Sequence, residues 1–304
     1  MFDSIWNDIK QSFRTGTMVN RIIIANVAVF VTFNLIRVFL FVFGGADAGL
    51  ELFEKFLRWF QASNTLNHNL FRPWTIFTYM FLHMGFWHIF WNMLIFMWFG
   101  RVLGDMIGDK KILPIYLIGG LVGWLVYVIF SQFLPMGSYM LGASAGVMAV
   151  VMAAAVVAPD YQFNLIFIGP VKIKYIALTM IFLDLIAIPT MSNTGGHLAH
   201  LGGVAAGYGF IELIRRGTDL SIPINNFLDK IVNFFRGAGL NFKRPKGPKV
   251  AFRNPRGKAK SDSDTKDANQ QERIDAILEK IKRSGYKSLT EEERDILFRA
   301  SKEK

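Results

Sequence analysis

The sequence predicts an all-α membrane protein of six transmembrane helices, followed by a basic cytosolic tail that ends in a small helical hairpin. Hydrophobic residues make up 52% of the 304 residues, and the mean hydropathy is +0.31, well above that of soluble domains. The apolar residues are gathered in six runs, and most lysines and arginines lie between or after them. The bilayer is therefore the expected solvent for the main part of the chain.

Each apolar run is close to the ~20 residues that cross a bilayer as a helix. The first run extends from Ile22 to Phe43 and contains a single charge, Arg37. A cleaved signal peptide has an apolar core of about half this length, so we expect a transmembrane helix here. The fifth run is the shortest and contains Asp184. The later runs cover residues 82–100, 112–134, 141–158, 175–189 and 198–214.

The distribution of cations predicts that both termini are cytoplasmic. Lysines and arginines precede the first run, join the second to the third and follow the sixth, whereas residues 131–140 and 190–196 contain none. Cytoplasmic loops carry such an excess of cations. The basic residues that give the formal net charge of +11 are therefore expected to lie at the cytoplasmic membrane surface. No nucleic-acid partner is predicted.

The chain outside the apolar runs falls into distinct segments. Thr290 and Glu293 have the spacing of a capping box that opens a helix near the C-terminus. The sequence does not identify a partner for this tail. The predicted parts are a cytosolic N-terminus (1–20), a six-span core (21–215), a basic segment with an amphipathic helix and a linker (216–271), and a small cytosolic helical hairpin (272–304).

One long outer connection, residues 44–80, mixes charged and aromatic side chains. It is either a structured element in the membrane interface, where aromatic rings lie at headgroup depth, or a folded loop outside the membrane. Both interpretations predict local structure in this connection.

A Gly-x-Ser-x-Gly motif comprises Gly142, Ser144 and Gly146. In soluble α/β-hydrolases this motif lies between a strand and a helix. Here no strand precedes it and an alanine-rich apolar run follows, so that fold is not expected. A serine at a helix start lies beside backbone N–H groups that can hold an oxyanion. The same small residues also suit close helix packing in lipid, so the motif alone leaves both interpretations open.

All five histidines lie in the outer loop or at the outer ends of apolar runs, at the depth expected for Ser144. Ionisable residues in membrane helices usually have a function. Beyond His200, Gly203 and Gly207 continue a stripe of small residues that would let the alanine face of the fourth helix approach. That contact would bring the Ser144 hydroxyl within hydrogen-bond reach of the His200 imidazole. The histidines are His68, His83, His88, His197 and His200.

The predicted catalytic residues are Ser144 as nucleophile and His200 as the base that later returns the proton to the leaving amine. His88 and Asn92 share a helix face and can donate to the developing oxyanion beside the Ser144 backbone N–H. No acidic third member is evident. Asp184 is interpreted as a polar contact or a residue of a water cavity.

Metal and cofactor chemistry is not predicted. His197 and His200 have a plausible spacing for metal ligands, but their helix offers neither a cysteine nor a nearby carboxylate. The chain contains no cysteine at all, which excludes a disulfide framework, a thiolate metal site and a cysteine nucleophile. We therefore expect neither a metal nor a cofactor.

Three motifs resemble those of the rhomboid family of intramembrane serine proteases. The resemblance covers about residues 20 to 215 and implies a six-helix rhomboid bundle with a Ser144–His200 dyad. The motifs are His83-x-x-x-x-His88-x-x-x-Asn92 in the second run, Gly142-x-Ser144-x-Gly146 at the start of the fourth, and Gly195-x-x-x-Ala199-His200-x-x-Gly203 in the sixth.

The resemblance also implies the surroundings of the dyad. His88, Asn92, His83 and Gly142 would contribute to an oxyanion and substrate-binding site that is open to the outer side. The implied partners are the lipid bilayer and single-span membrane proteins, which are cut near the outer edge of their transmembrane helix. The tail resembles an appendage of some bacterial members, so the implied location is the bacterial plasma membrane.

Two departures from the family pattern are present. The first outer loop of the family commonly has a Trp-Arg pair, whereas Trp74 is followed here by Thr75. Met148 stands where the family often places an aromatic residue against the histidine. Because methionine fills space adaptably, activity is still expected.

Two other functions are compatible with parts of the sequence. A catalytically weak rhomboid-like protein would bind transmembrane helices without cleaving them, although Ser144 and His200 are both present. A transporter with a proton relay would need Asp184 and be indifferent to Ser144. The transporter leaves the three motifs unexplained.

Overall fold

The computed structural model describes residues 7, 10–13, 16–237, 274–282 and 289–302. The chain separates into two compact units, Met1–Pro245 and Lys246–Lys304. The predicted linker lies outside the described residues from 238 onward. The helices of the first unit are α1 (Met18–Gly44), α2 (Ala46–Leu57), α3 (Leu66–Phe71), α4 (Thr75–Thr78), α5 (Phe86–Ile107), α6 (Ile112–Phe130), α7 (Ser144–Val157), α8 (Ile173–Ala187), α9 (Thr194–Arg215) and α10 (Ser221–Gly237). Short 3₁₀ turns lie at Tyr79–Phe81, Asp109–Lys111 and Ile188–Thr190.

The six predicted apolar runs fall on α1 and α5 to α9. Among the described residues, three helices are long and apolar enough to cross a membrane: Met18–Gly44, Asp109–Phe130 and Ile173–Thr190. Thr75–Phe81 and Phe86–Ile107, bent by 92°, make a fourth if they form one span. Since α7 has only 14 residues, which is about 21 Å of helix, the count of six spans stays a prediction.

The apolar faces of these helices are exposed to an extent that water does not favour. In α1 the residues Leu35, Val42 and Phe43 are 64%, 62% and 76% exposed. Soluble proteins rarely show contiguous apolar surface of this size, whereas lipid solvates such surface. The chain is therefore an integral membrane protein, as the composition predicts.

Helix α5 differs from the predicted second run, which covers residues 82–100. The helix begins at Phe86 and continues past Arg101 to Ile107. A charged residue ends an apolar run but does not interrupt the backbone hydrogen bonds of a helix. The end comes at Gly108, whose φ of +95° is a conformation that glycine adopts without strain.

The centre of the helix bundle is α7, which packs against α5, α6 and α9. Its Ala149 is fully buried. A Cβ atom placed on Gly207 of α9 would lie 2.1 Å from the Ala149 carbonyl oxygen, and one on Gly119 of α6 would lie 2.3 Å from the Ala149 Cβ. The predicted close approach of the alanine face and the small-residue stripe is therefore confirmed.

Two small antiparallel sheets order the loops. Strand β1 (Ala62–Ser63) pairs with β2 (Tyr139–Met140), which ties the first outer loop to the segment before α7. Strands β3 (Gln162–Leu165) and β4 (Gly169–Lys172) form a hairpin between α7 and α8. Strand β2 ends two residues before Gly142, so the expectation that no strand precedes the Gly-x-Ser-x-Gly motif is wrong. With two residues each, β1 and β2 are too short for the alternating pattern that identifies a strand in a sequence.

The outer connection 44–80 is folded, as both interpretations of it require. Leu57 of α2 is 1% exposed and packs against side chains of α1. The Trp74 indole N–H donates to the Trp59 carbonyl oxygen at 2.7 Å, and the Arg72 guanidinium lies 4.4 Å from the centroid of the Trp59 ring. Trp74 and Arg72 therefore meet at Trp59, although they are not adjacent in sequence.

The turn between α5 and α6 holds the start of α1. The Met18 backbone N–H donates to both carboxylate oxygens of Asp109, at 2.7 and 2.9 Å. The neighbouring Lys111 lies 3.3 Å from the carboxylate of Asp219, just before α10. A side chain from a distant turn thus caps the N-terminus of α1.

In the second unit the described residues form α11 (274–282) and α12 (Glu291–Lys302). The Glu293 N–H donates to Thr290 Oγ1 at 3.3 Å, and the Thr290 N–H donates to the Glu293 carboxylate at 2.8 Å. This reciprocal pair confirms the predicted capping box.

Lys280 of α11 donates to the Glu293 carboxylate at 2.8 Å, and this contact is the main cause of the lowered pKa of Glu293. The predicted hairpin stays a prediction, because residues 283–288 lie outside the described residues.

Candidate active site

A cavity of about 620 Å³ lies between α5, α7, α9 and the outer loops, and it contains five of the six predicted site residues. The sixth, His83, does not line it. The five residues that line the cavity are His88, Asn92, Gly142, Ser144 and His200.

Ser144 is the first residue of α7 and is half-buried. The first turn of a helix leaves backbone N–H groups without an intrahelical partner, so the Ser144 N–H can serve as an oxyanion donor beside its own hydroxyl. The turn before it depends on Gly142, whose φ is +131° and whose N–H donates to the Tyr79 carbonyl oxygen at 2.9 Å. Glycine at 142 thus permits the turn that presents Ser144.

His88 and Ser144 both lie close to Gly142. A Cβ atom placed on Gly142 would lie 3.0 Å from His88 Cε1 and Nε2, and 3.6 Å from Ser144 Oγ. Asn92 is 9% exposed, and its side-chain amide donates to the His88 carbonyl oxygen at 2.8 Å. An amide has two N–H donors, so one of them is left for a ligand in the cavity.

His83 lies behind the cavity wall. It is 1% exposed, and its Nε2 accepts from the Ala143 N–H at 3.4 Å. The centroids of the His83 and His88 rings are 4.9 Å apart. The position of His83 therefore suits support of the Ser144 loop and of the His88 ring rather than contact with a substrate.

His200 shares a buried carboxylate with His197. His200 Nδ1 lies 2.9 Å and His197 Nδ1 lies 2.8 Å from Oδ1 of Asp184. Asp184 belongs to α8 and is 7% exposed. The expected polar contact of Asp184 is confirmed. It also places a carboxylate against His200, for which the sequence showed no evident acidic partner. The two residues are on different helices, so helical periodicity could not reveal the pair.

The Asp184, His197 and His200 side chains are also the group, within the described part of the chain, that could hold a metal ion. Their ligand atoms lie within 4.8 Å of one another. However, the two nitrogen–oxygen distances are those of direct hydrogen bonds, whereas neighbouring ligands of a tetrahedral zinc lie roughly 3.3 Å apart. The geometry fits hydrogen bonding better than metal coordination.

Helices α7 and α9 touch immediately beside the two predicted catalytic residues. A Cβ atom on Gly203 would lie 2.1 Å from the Ala145 carbonyl oxygen. Ser144 precedes Ala145, and His200 lies one helical turn from Gly203. Among the described residues Ser144 Oγ makes no hydrogen bond to His200. Such bonds are often long in hydrolases without substrate and tighten when substrate binds.

Tyr127 lines the cavity although no motif indicated it. It is 1% exposed, and its hydroxyl donates to the Gly137 carbonyl oxygen. A Cβ atom on Gly195 would lie 2.8 Å from its ring carbons. A contact between an aromatic residue and a glycine of another helix has no local sequence signal. Other lining residues that the sequence did not indicate are Gln61, Met136, Met140 and Asn193.

His68 contributes to the outer loop and does not line the cavity. Its Nδ1 lies 3.4 Å from Arg72 Nη1, and its ring centroid lies 5.3 Å from that of Tyr139. Burial, followed by the positive charge of Arg72, lowers the pKa of His68. The loop packing around it accounts for these contacts.

Two parts of the chain match known families. Residues 71–217 match the Rhomboid domain, and residues 264–303 match a family of unknown function (DUF6576). The Rhomboid match begins in the first outer loop, includes α5 to α9 and contains all the histidines of the cavity, Asp184 and Ser144. The DUF6576 match includes α11 and α12.

Two curated proteins are similar to this chain. It is 27% identical over 191 residues to "RHOMBOID-like protein 12, mitochondrial" of Arabidopsis thaliana, which covers 57% of each protein. It is 24% identical over 190 residues to "Presenilin-associated rhomboid-like protein A, mitochondrial" of Danio rerio, which covers 60% of this chain and 48% of the relative. The chain therefore spans about half the length of these relatives. From the Rhomboid domain, the helical membrane fold and the similarity to rhomboid-like proteins, it follows that this chain is a member of the rhomboid family.

Proposed function

We propose that this protein is an intramembrane serine endopeptidase that cleaves single-span membrane proteins near the outer edge of their transmembrane helix. The observation that carries the proposal is the common cavity of Ser144 and His200, which lie on two helices in backbone contact. Membership of the rhomboid family supports the same chemistry.

In the proposed reaction, Ser144 Oγ attacks the carbonyl carbon of the substrate while His200 Nε2 takes the hydroxyl proton. The carbonyl electrons move to its oxygen, which accepts from the Ser144 N–H, Asn92 and His88. Collapse of this intermediate breaks the C–N bond, and His200 gives its proton to the leaving amine. Water then loses a proton to His200 and attacks the ester carbonyl carbon. The bond from this carbon to Ser144 Oγ breaks, the new acid leaves, and His200 returns the proton to Oγ.

The proposed substrate has to unwind before it reacts. A transmembrane helix satisfies its own backbone hydrogen bonds, so its peptide bonds are not open to attack. Small or helix-breaking residues near the outer end lower the free energy of unwinding. The reaction involves the bilayer and the substrate, and it needs no nucleic acid, metal or cofactor.

The proposal includes a topology in which both termini are cytoplasmic in a bacterial plasma membrane. Because the chain contains no cysteine, single thiols can report it. Phe133, 77% exposed after α6, and the exposed Arg216 after α9 are suitable positions. An impermeant maleimide added to intact cells should label Phe133→Cys and not Arg216→Cys. The reverse pattern would contradict the topology.

The catalytic proposal is tested with purified protein in lipid vesicles and a panel of labelled single-span substrates. Wild type should cleave, whereas Ser144→Ala and His200→Ala should not. A fluorophosphonate probe gives a second readout, because it should label wild type and leave Ser144→Ala unlabelled. Ser131→Ala and His68→Ala are matched controls outside the cavity, and both should cleave and bind the probe like wild type. Equal cleavage by wild type and Ser144→Ala would refute the proposal.

The alternative is a rhomboid-like protein that binds transmembrane helices without cutting them. Two observations favour testing it. Within the described part of the chain the Ser144 hydroxyl makes no hydrogen bond to His200, and the names of both relatives contain "rhomboid-like". It predicts that wild type neither reacts with the probe nor cleaves any substrate. It also predicts that wild type and Ser144→Ala capture single-span helices equally well. Probe labelling of wild type alone would exclude it.

A further inference from the structure

Asp184 is the buried acid nearest to the proposed base for which the catalytic cycle gives no role. Its Oδ1 lies 2.9 Å from His200 Nδ1 and 2.8 Å from His197 Nδ1. Asp184 is 7% exposed, on a helix whose other side chains are largely apolar. A carboxylate is seldom placed at membrane depth without a function.

The contact decides which nitrogen of His200 carries the proton. An ionised carboxylate only accepts hydrogen bonds, so a nitrogen within 2.9 Å of it must donate. The proton of neutral His200 is then on Nδ1, and Nε2 keeps the lone pair that a base needs. Without this partner the proton could occupy Nε2 and leave His200 unable to accept from Ser144.

We propose that Asp184 is a positioning residue that holds His200 in its Nδ1-protonated form and in the orientation needed to activate Ser144. This inference rests on the proposed protease function. Asp184 touches neither substrate nor the reacting atoms, and it also stabilises the imidazolium that forms during attack. His197 supplies a second donor to the same oxygen.

The role differs from that of a structural link between two helices. If Asp184 only linked the two helices, its contacts with His197 and His200 would matter equally. Loss of either contact would then have a similar effect on folding and a minor effect on the cleavage rate. If Asp184 positions the base, only the loss of its contact with His200 lowers the cleavage rate strongly. His197→Ala removes one hydrogen bond to the same oxygen and leaves the His200 contact, so it is the matched control.

The first measurement is solid-state ¹⁵N NMR of histidine-labelled wild type in lipid bilayers at neutral pH. The chain has only five histidines, and the His200 signals are those that disappear in His200→Gln. We expect a protonated Nδ1 and an unprotonated Nε2. A His200 with the proton on Nε2 would overturn the proposal without the need for any variant.

The second measurement is the rate of fluorophosphonate labelling and the kcat of cleavage for Asp184 variants. Asp184→Asn should lower both by roughly 10²- to 10⁴-fold with little change in KM, and should move the His200 proton to Nε2. Asp184→Glu should restore the Nδ1-protonated form and a large part of the rate. His197→Ala should stay within about tenfold of wild type, as expected for one hydrogen bond.

The results separate this inference from the function on which it rests. If wild type reacts with the probe and Asp184→Asn reacts equally fast with His200 unchanged, the role of Asp184 is refuted and the protease function stands. If wild type neither cleaves nor reacts with the probe, the protease function fails and Asp184 has no catalysis to support. Equal rate losses in Asp184→Asn and His197→Ala, with the proton still on Nδ1 of His200, would assign Asp184 to folding.

Discussion

The closest approach of Gly203 to α7 is backbone to backbone: a Cβ atom on Gly203 would lie only 2.1 Å from the carbonyl oxygen of Ala145. At this point no side chain separates the helices that carry Ser144 and His200. The distance between these two residues is therefore determined by main-chain contact, which tolerates no added atom.

This contact predicts that Gly203→Ala separates the two helices. The added methyl group should lower the free energy of unfolding by about 1–3 kcal/mol and reduce cleavage more strongly than stability. Unfolding in mixed detergent micelles and the vesicle assay measure the two effects. Gly209→Ala, on the same helix with nothing within 4 Å of an added Cβ, is the control. It should be as active as wild type and more stable by about 0.5–1 kcal/mol. Equal behaviour of the two variants would contradict the role of the contact.

A second prediction concerns Gly142. Alanine at this position would be strained at a φ of +131° and would press on His88 from 3.0 Å, so cleavage should fall by at least an order of magnitude, as for the loss of an oxyanion donor. Gly169→Ala carries similar strain at a φ of +87° with nothing nearby, and it should keep wild-type kcat. If Gly169→Ala loses as much activity as Gly142→Ala, backbone strain and not the His88 contact explains the loss.

A third prediction concerns pH and the hairpin of β3 and β4. Hydrogen bonds from Lys174 and then Lys172, together with their charges, lower the pKa of Asp160 from 3.8 to about 2. A lowered pKa in the folded state contributes stability that is complete above about pH 4 and lost as pH falls through about 2. Asp160→Asn should therefore unfold at a slightly lower temperature than wild type at pH 7, and the difference should shrink between pH 4 and pH 2.

Salt provides the control for this ion pair. Asp160 is exposed, so 1 M salt, with a Debye length of about 3 Å, should reduce the difference at pH 7. A difference that widens as pH falls, or that ignores salt, would show that Asp160 acts by another route.

A fourth prediction concerns the cap of α1. Replacing Asp109 by alanine removes both acceptors of the Met18 N–H, and the free energy of unfolding should fall by about 0.5–2 kcal/mol. Amide hydrogen exchange should increase in the first turn of α1 and not in α7. Asp105→Ala, an exposed aspartate on α5, should leave both measurements unchanged. Faster exchange throughout the bundle would indicate a global rather than a local effect of Asp109.

Contacts within one helix or between complementary helix faces could be predicted from the sequence. The stripe of Gly203 and Gly207 was predicted to accept an alanine face, and the structure places it on Ala145 and Ala149. The capping box pairs two residues that are three positions apart at the start of a helix, and the structure contains both of its hydrogen bonds. In each case the residues that make the contact are three or four positions apart, which is the spacing of one helical turn.

Contacts that depend on the path of a loop could not be predicted. Asp184 reaches His200 across a turn in which Met191 and Asn193 have positive φ values of 59° and 56°. The sequence predicts a loop at residues 190–196, but neither residue type requires such a conformation, so the path of this loop could not be predicted. The same applies to the pairing of Ser63 with Tyr139.

The backbone contacts of Gly203 and Gly207 with α7 also limit how this protein can be altered. A change of specificity cannot come from the helix contact, since substitution there disturbs the dyad itself. It has to come from the rim of the cavity, where Met136, Met140 and Met191 lie outside the helices. For the proposed protease, a library that varies only the rim should therefore change the cleavage preference while the helices that carry Ser144 and His200 stay unchanged.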